Sequence, residues 1–239
     1  MSKSGVPGLR YVGSELALFK KAKNWKAYWR DQIAAYVRGE VLEVGAGIGA
    51  NTELLAGRGF SSWTCLEPDA ALAGDIELPD GRYRRAVGTI QDLPAHERFD
   101  SILYIDVLEH IEDDQAELIL AADRLKPGGS LIVLSPAHPF LFTEFDRAIG
   151  HYRRYTRSSL RALKPPALWE RKMIYLDSAG MLASAGNRLL LKSAMPTEQQ
   201  ILAWDRLLVP ASRVIDGFFA RRVGKTVLGV WQLSDSETR

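Results

Sequence analysis

From Ser14 to Val37 apolar residues recur every three to four positions: Leu18/Phe19, Ala22, Trp25, Tyr28/Trp29, Ile33 and Tyr36/Val37. Lys20, Lys21, Lys23, Lys26 and Arg30 fill positions between them. The spacing predicts a basic amphipathic helix over 14–38, packed on its own domain or laid on a membrane surface. Beyond it the period changes. Val41–Val44, Ser62–Leu66, Arg82–Ala86, Phe99–Ile105 and Leu131–Leu134 read as strands, with helices over Asn51–Ala56 and Asp114–Leu125. Strand–helix alternation at this rhythm predicts an α/β fold: a mostly parallel sheet with helices on both faces, binding ligands at the carboxyl ends of its strands.

After Leu134 the alternation stops. Ser135–Thr156 reads as a long loop rich in Pro, His, Phe, Tyr and Arg, followed by a short helix over Ser158–Leu163 and a strand over Trp169–Leu176. Ala179–Lys192 and Thr197–Arg221 read as two helices, and Lys225–Leu233 as a final strand. One domain is expected, with 14–38 as an N-terminal lid helix, 40–135 as a cofactor-binding core and 136–223 as substrate loop and helical insertion. The apolar stripes of the insertion suit packing on the sheet or on a partner subunit, so a homodimer is one expected arrangement; the alternative is an apolar acceptor pocket.

Composition changes this picture little. The chain has 239 residues, 46% hydrophobic and 25% charged, which excludes a disordered or collagen-like protein. The lone Cys65 excludes an internal disulfide framework. No apolar run approaches the roughly 18 residues of a membrane span, and no secretory h-region is visible, so a cytoplasmic protein is expected. The net charge of +2 hides a segregation. Residues 40–146 carry 7 basic and 20 acidic groups, whereas 1–39 carry 8 basic and 2 acidic ones. Residues 147–169 carry 6 basic groups and no acid, which suits either a solvated face or an anionic ligand.

The candidate chemistry begins at Val41-Leu42-Glu43-Val44-Gly45-Ala46-Gly47-Ile48-Gly49-Ala50, a strand running into a glycine-rich turn. Gly45, Gly47 and Ala50 satisfy a loose dinucleotide fingerprint, with Glu67 at about the right distance for a ribose hydroxyl. An NAD-type oxidoreductase is therefore one alternative. Glu43, however, would repel a pyrophosphate, and Glu67, Asp69, Asp106 and Glu109 make the strand-end rim repeatedly acidic. A cofactor carrying a sulfonium and an ammonium, S-adenosylmethionine, fits such a rim better.

The order of Val-Leu-Glu-Val-Gly-Ala-Gly-Ile-Gly, Leu66-Glu67-Pro68, Asp106-Val107-Leu108-Glu109-His110-Ile111 and Leu125-Lys126-Pro127-Gly128-Gly129 resembles class I S-adenosylmethionine-dependent methyltransferases over about 40–135. The resemblance implies a Rossmann-like sheet of seven strands, the last antiparallel, preceded by the helical insertion. It implies that Gly45, Ala46, Gly47 and Gly49 wrap the methionine part of the cofactor, with Glu43 holding the ammonium. Glu67, beside Pro68, matches the acid on the ribose. Thr89, Ile90 and Gln91 match the segment bordering adenine, although the family often has an acid where this chain has Thr89; Gln91 or Asp92 would replace it. Ile105 and Asp106 match the lining after the fourth strand, and Tyr28 is the expected contact from the lid. His110 reads as packing on the following helix.

The acceptor must be read from 135–156. Gly-His-Tyr-Arg-Arg-Tyr at 150–155 resembles bacterial type-11-like small-molecule methyltransferases and, loosely, the acceptor loop of ubiquinone-pathway O-methyltransferases. His138 and His151 are the expected proton acceptors, and Tyr152, Arg153 and Arg154 the expected substrate clamp. The expectation is O-methylation of an anionic or partly apolar small molecule, without a metal and without a nucleic-acid partner. A non-catalytic module that binds S-adenosylmethionine is the other alternative.

Overall fold

The computed structural model describes residues 16–55, 59–190 and 196–235, with side chains omitted at 187–190. Ser14, Ala56, Leu191 and Lys192, named above, lie outside the described residues. Seven strands form one sheet: β1 (Gly39–Val44), β2 (Phe60–Glu67), β3 (Tyr83–Val87), β4 (Phe99–Ile105), β5 (Leu125–Pro136), β6 (Leu168–Leu176) and β7 (Thr226–Leu233), in the order β3-β2-β1-β4-β5-β7-β6. β7 runs antiparallel to both neighbours, and the remaining pairs are parallel. The expected fold class is the observed one. β1 and β4 carry near-continuous buried runs because helices cover both faces of a parallel sheet. The strand order reverses between β1 and β4, where ligands enter such sheets.

One face is covered by α1 (Leu16–Phe19), α2 (Lys23–Ile33) and α3 (Ala50–Leu55), and α4 (Ala70–Asp75) follows β2. Trp25, Tyr28, Trp29 and Ile33 of α2 are all buried in the core. The basic amphipathic segment is thus a packed layer of the domain, broken into two helices at Lys20–Ala22. Its start has a distant cap: Asp205 accepts from the backbone N–H of Asn24 (3.2 Å) and Trp25 (2.8 Å). That carboxylate takes two of the donors a helix start leaves unpaired.

The other face carries α5 (Asp114–Asp123) and α7 (Arg157–Ala162). The segment read as a loop contains α6 (Glu144–Ala148), closed by a capping box between Thr143 and Asp146. The insertion comprises α8 (Ser178–Leu190), α9 (Glu198–Ala203) and α10 (Val209–Phe218), the last two joined by a π-helical turn, Trp204–Leu208. Lys126-Pro-Gly-Gly, expected to end a helix, begins β5 instead: Leu125 pairs with Phe99, and the register shifts before Ser101. No helix among the described residues is long and apolar enough to cross a membrane.

Candidate active site

The carboxyl ends of β1, β4 and β5 open into a cavity of about 770 Å3. Its floor is the glycine turn, with Gly45, Ala46, Gly47 and Ile48, and the end of β4, with Ile105 and Asp106. Trp25, Lys26 and Trp29 of α2 form one wall. Glu109, His110, Asp146, His151 and Arg154 form another, and Ile201, Trp204, Leu207 and Leu208 of the insertion close the far side.

The turn folds this way because a side chain does not fit in it. Gly45 has φ +65°, and a Cβ there would lie 2.6 Å from Val107 Cγ2. Only glycine allows both the left-handed backbone and the close approach of the two strand-end loops. Gly49 faces Ile76 and makes the turn into α3, so it shapes the loop without lining the cavity.

Beneath the turn lies Glu43, buried, whose Oε2 accepts from Thr52 Oγ1 (2.5 Å) and Trp63 Nε1 (3.0 Å). Its Oε1 is buried with no hydrogen-bond partner. Burial pushes this carboxyl up to about 7, against the pull of those two hydrogen bonds and of Lys26. Lys26, whose Nζ donates to Asn51 Oδ1 at 3.1 Å, is lowered by burial to about 8. Asp106 has φ +55°, a left-handed conformation uncommon outside glycine, and faces the cavity. Burial raises its carboxyl, while His151, Lys26 and Lys225 favour the charge.

On the acceptor side Asp146, fully buried, holds His151 and Arg154 besides capping Thr143. Oδ1 accepts from His151 Nδ1 at 2.9 Å, and both oxygens take the Arg154 fork, from Nε at 2.8 Å and Nη2 at 2.9 Å. Burial opposes the Asp146 charge, yet the hydrogen bonds from His151 and Arg154 outweigh it and hold the carboxyl well below the usual range. Because a carboxylate only accepts, His151 carries a proton on Nδ1; in the neutral ring Nε2 is then the lone pair. That Nε2 lies 3.8 Å from Glu109 Oε1. Glu109 Oε2 accepts from Ser135 Oγ at 2.9 Å, Oε1 is buried without a partner, and burial raises this carboxyl well above the usual range.

Several expected residues stand elsewhere. Tyr28 points away from the cavity: it is buried against α10, where its hydroxyl donates to Asp216 Oδ2 at 2.8 Å. His138, at φ +65°, meets the Gly224 carbonyl oxygen through Nε2 at 3.0 Å and stacks near Tyr175, outside the cavity lining. The expected clamp comes apart. Tyr152 is exposed on the surface. Arg153 pairs with Asp114 Oδ2 at 2.6 Å and donates to the Glu112 carbonyl oxygen. Arg154 alone reaches the cavity, with its fork engaged by Asp146. His110, expected to pack on a helix, instead lines the cavity, its ring edge-on to His151 at 4.5 Å.

Glu67, Pro68, Thr89, Ile90 and Gln91 lie on the ends of β2 and β3, beyond the cavity wall. Glu67 is buried and accepts from Gly47 N (2.8 Å) and Asp69 N (2.9 Å), so it fastens the glycine turn. Asp92 caps Thr89, Ile90 is buried in the core, and Gln91 is exposed. Sequence reasoning missed Lys26, Asp146 and Lys225, and read Glu109 only as part of the acidic rim. Of these, Asp146 had a readable signal, lying five and eight residues before His151 and Arg154.

A glycine turn at the switch point of a doubly wound sheet, opening into a walled cavity, is the geometry of a fold that binds a nucleotide-type cofactor. A family model described as a methyltransferase domain matches residues 19–167, and the chain belongs to that family. Among curated proteins it is 32% identical over 147 residues to a demethylmenaquinone methyltransferase of Tropheryma whipplei, covering 57% of this chain and 58% of that one. It is 26% identical over 144 residues to a ubiquinone biosynthesis O-methyltransferase of Rickettsia canadensis, covering 55% and 59%. The chain thus spans under two thirds of the length of these relatives. Among solved structures it resembles the N-methyltransferase NodS of Bradyrhizobium japonicum in complex with S-adenosyl-L-homocysteine, with a TM-score of 0.58 and 16% identity over 90% of this chain and 87% of that one.

The cofactor of this family's fold is S-adenosylmethionine, and the residues fit it. The partnerless, buried Oε1 of Glu43 suits an ammonium and would repel a pyrophosphate, which counts against NAD. Because a neighbouring cation favours the ionised carboxyl, cofactor binding at about pH 6 is expected to release a proton from Glu43, and this release is expected to fade above about pH 8. Calorimetry in buffers of different ionisation enthalpy measures it, and Glu43→Gln should remove it.

Proposed function

We propose that the protein transfers the methyl group of S-adenosylmethionine to a hydroxyl oxygen of a small, partly apolar acceptor. The observation that carries this reading is His151, held by Asp146 through Nδ1 in the lining of a cavity walled by Trp25, Trp29 and Trp204. The hydroxyl oxygen attacks the methyl carbon, the carbon–sulfur bond breaks, and the hydroxyl proton passes to His151 Nε2. The bound cofactor supplies an already activated methyl group, so the chain contributes position and a proton acceptor. The aromatic wall favours an apolar ring. An anionic acceptor loses support, because Arg153 and Arg154 are both paired with acids of this chain.

The relatives' names, one a methyltransferase of demethylmenaquinone and one an O-methyltransferase of ubiquinone biosynthesis, agree with quinone-like acceptors, and the second with transfer to oxygen. The test is transfer from methyl-labelled S-adenosylmethionine to a panel of hydroxylated quinols and phenols, with products read by mass spectrometry. A methyl ether is the expected product; methylation at carbon or nitrogen alone would contradict the reading. Glu67→Ala, which frees the glycine turn, is expected to weaken cofactor binding more than about tenfold. Unchanged affinity in calorimetry would place the cofactor elsewhere.

A second reading keeps the reaction and changes the helper. Glu109, His110 and His151 bring metal-type donor atoms within 4.8 Å of one another. Asp146 orients one of these histidines from behind, as outer partners do at metal sites. A divalent cation there would polarise the acceptor oxygen. Exhaustive chelation would then abolish turnover, whereas with His151 as the base it leaves the rate unchanged.

A further inference from the structure

The inward face of the α9–α10 arm carries Ile201 and Val209 into the core together with three polar side chains. Asp205 caps α2, Ser212 donates to Asp177, and Asp216 takes the Tyr28 hydroxyl and the backbone N–H groups of Asp177 and Ser178. All three side chains are buried. Its outward face is apolar. Leu207, Val214 and Phe218, at helical spacing, are 69%, 63% and 86% exposed. A helix buries its apolar stripe wherever it has a surface to bury it against, so this face calls for one outside the domain.

Charge decides which surface. Between Pro196 and Gly224 the acids are Glu198, Asp205 and Asp216; two are buried, and Glu198 is paired with Lys21 at 2.7 Å. Arg206 and Arg222 are exposed beside the stripe, and Arg213, also exposed, is paired with Asp31 of α2. A second copy of the chain laid on this face would bring the same cations against these. An anionic surface with an apolar interior complements both features.

We propose that the α9–α10 arm docks the protein on the surface of an anionic phospholipid bilayer, with Leu207, Val214 and Phe218 entering the headgroup boundary. Leu207 also lines the acceptor cavity. Docking therefore brings one wall of that cavity to the bilayer, where an apolar acceptor would partition. The surface itself does not depend on the identity of that acceptor.

The full chain is mixed with vesicles of phosphatidylcholine alone and of phosphatidylcholine with phosphatidylglycerol, and binding is read by flotation. Binding is expected to the phosphatidylglycerol vesicles only and to weaken as salt rises. The double variant Val214→Asn, Phe218→Asn should bind those vesicles at least tenfold more weakly while keeping its affinity for S-adenosylhomocysteine, which shows that it is folded. Absence of binding to the anionic vesicles, or equal binding by the variant, overturns the proposal. So does a dimer in sedimentation that the variant dissociates, which would give the face to a second copy.

Discussion

Replacing His151 by alanine is expected to lower kcat by about 10²–10⁴-fold while leaving the affinity for S-adenosylhomocysteine within about twofold. The size follows from the role. The sulfonium leaves readily, so the remaining barrier includes the proton on the acceptor oxygen, and His151, held by Asp146 through Nδ1, is its proposed acceptor. The spared affinity follows from position: the glycine turn proposed to seat the methionine end, Gly45–Gly47, forms the cavity floor, and His151 stands in a different wall. His138→Ala removes the other histidine of the loop, which hydrogen-bonds Gly224 outside the cavity, and is expected to leave kcat within about threefold. Initial rates and calorimetry on the two variants measure the contrast. Equal losses would deny His151 its assigned step.

The largest effect on stability is expected at Asp146. Asp146→Ala leaves the Arg154 guanidinium buried without its carboxylate and removes the cap of Thr143, so a loss of about 3–5 kcal/mol in denaturant unfolding is expected. The pH dependence has a definite sign. The Asp146 carboxyl is held below its ordinary value in the folded state. Its contribution is therefore fully present above the ordinary carboxylate pKa, about 4, and is lost as pH falls toward the depressed value. The wild-type protein is expected to lose stability steeply on acidification below about pH 4, and Asp146→Ala to show a shallower slope there. Asp146→Asn keeps the shape and an acceptor oxygen, and separates the two roles: it should fold better than the alanine variant yet misorient His151 and lower kcat.

The sheet was legible because local pattern determines it. Phe99–Ile105 is an apolar run bounded by charged residues, and it forms β4 with those limits. The glycine turn was legible for the same reason, since Gly45, Gly47 and Gly49 all adopt the positive φ that only glycine takes easily. The acceptor side was not, because its meaning lies in long-range pairs. Arg153 and Arg154 are neighbours, yet one reaches Asp114 and the other Asp146. The basic run at 147–169 therefore matches acids of this chain, with Arg161 also on Glu170 and Arg147 on Glu144, and ceases to mark an entry for an anion. Tyr28 likewise has a helical position that suits either a lid or a core. Its partner Asp216, 188 residues away, decides for the core.

Binding of S-adenosylmethionine at the glycine turn is tested most directly by calorimetric titration of the full chain with S-adenosylhomocysteine and, separately, with NAD(H). Saturable one-to-one binding of S-adenosylhomocysteine, weakened more than about tenfold in Glu67→Ala, with no heat from NAD(H), is the expected result. No binding of S-adenosylhomocysteine at ligand concentrations of hundreds of micromolar, or binding of NAD(H) in its place, would contradict the account.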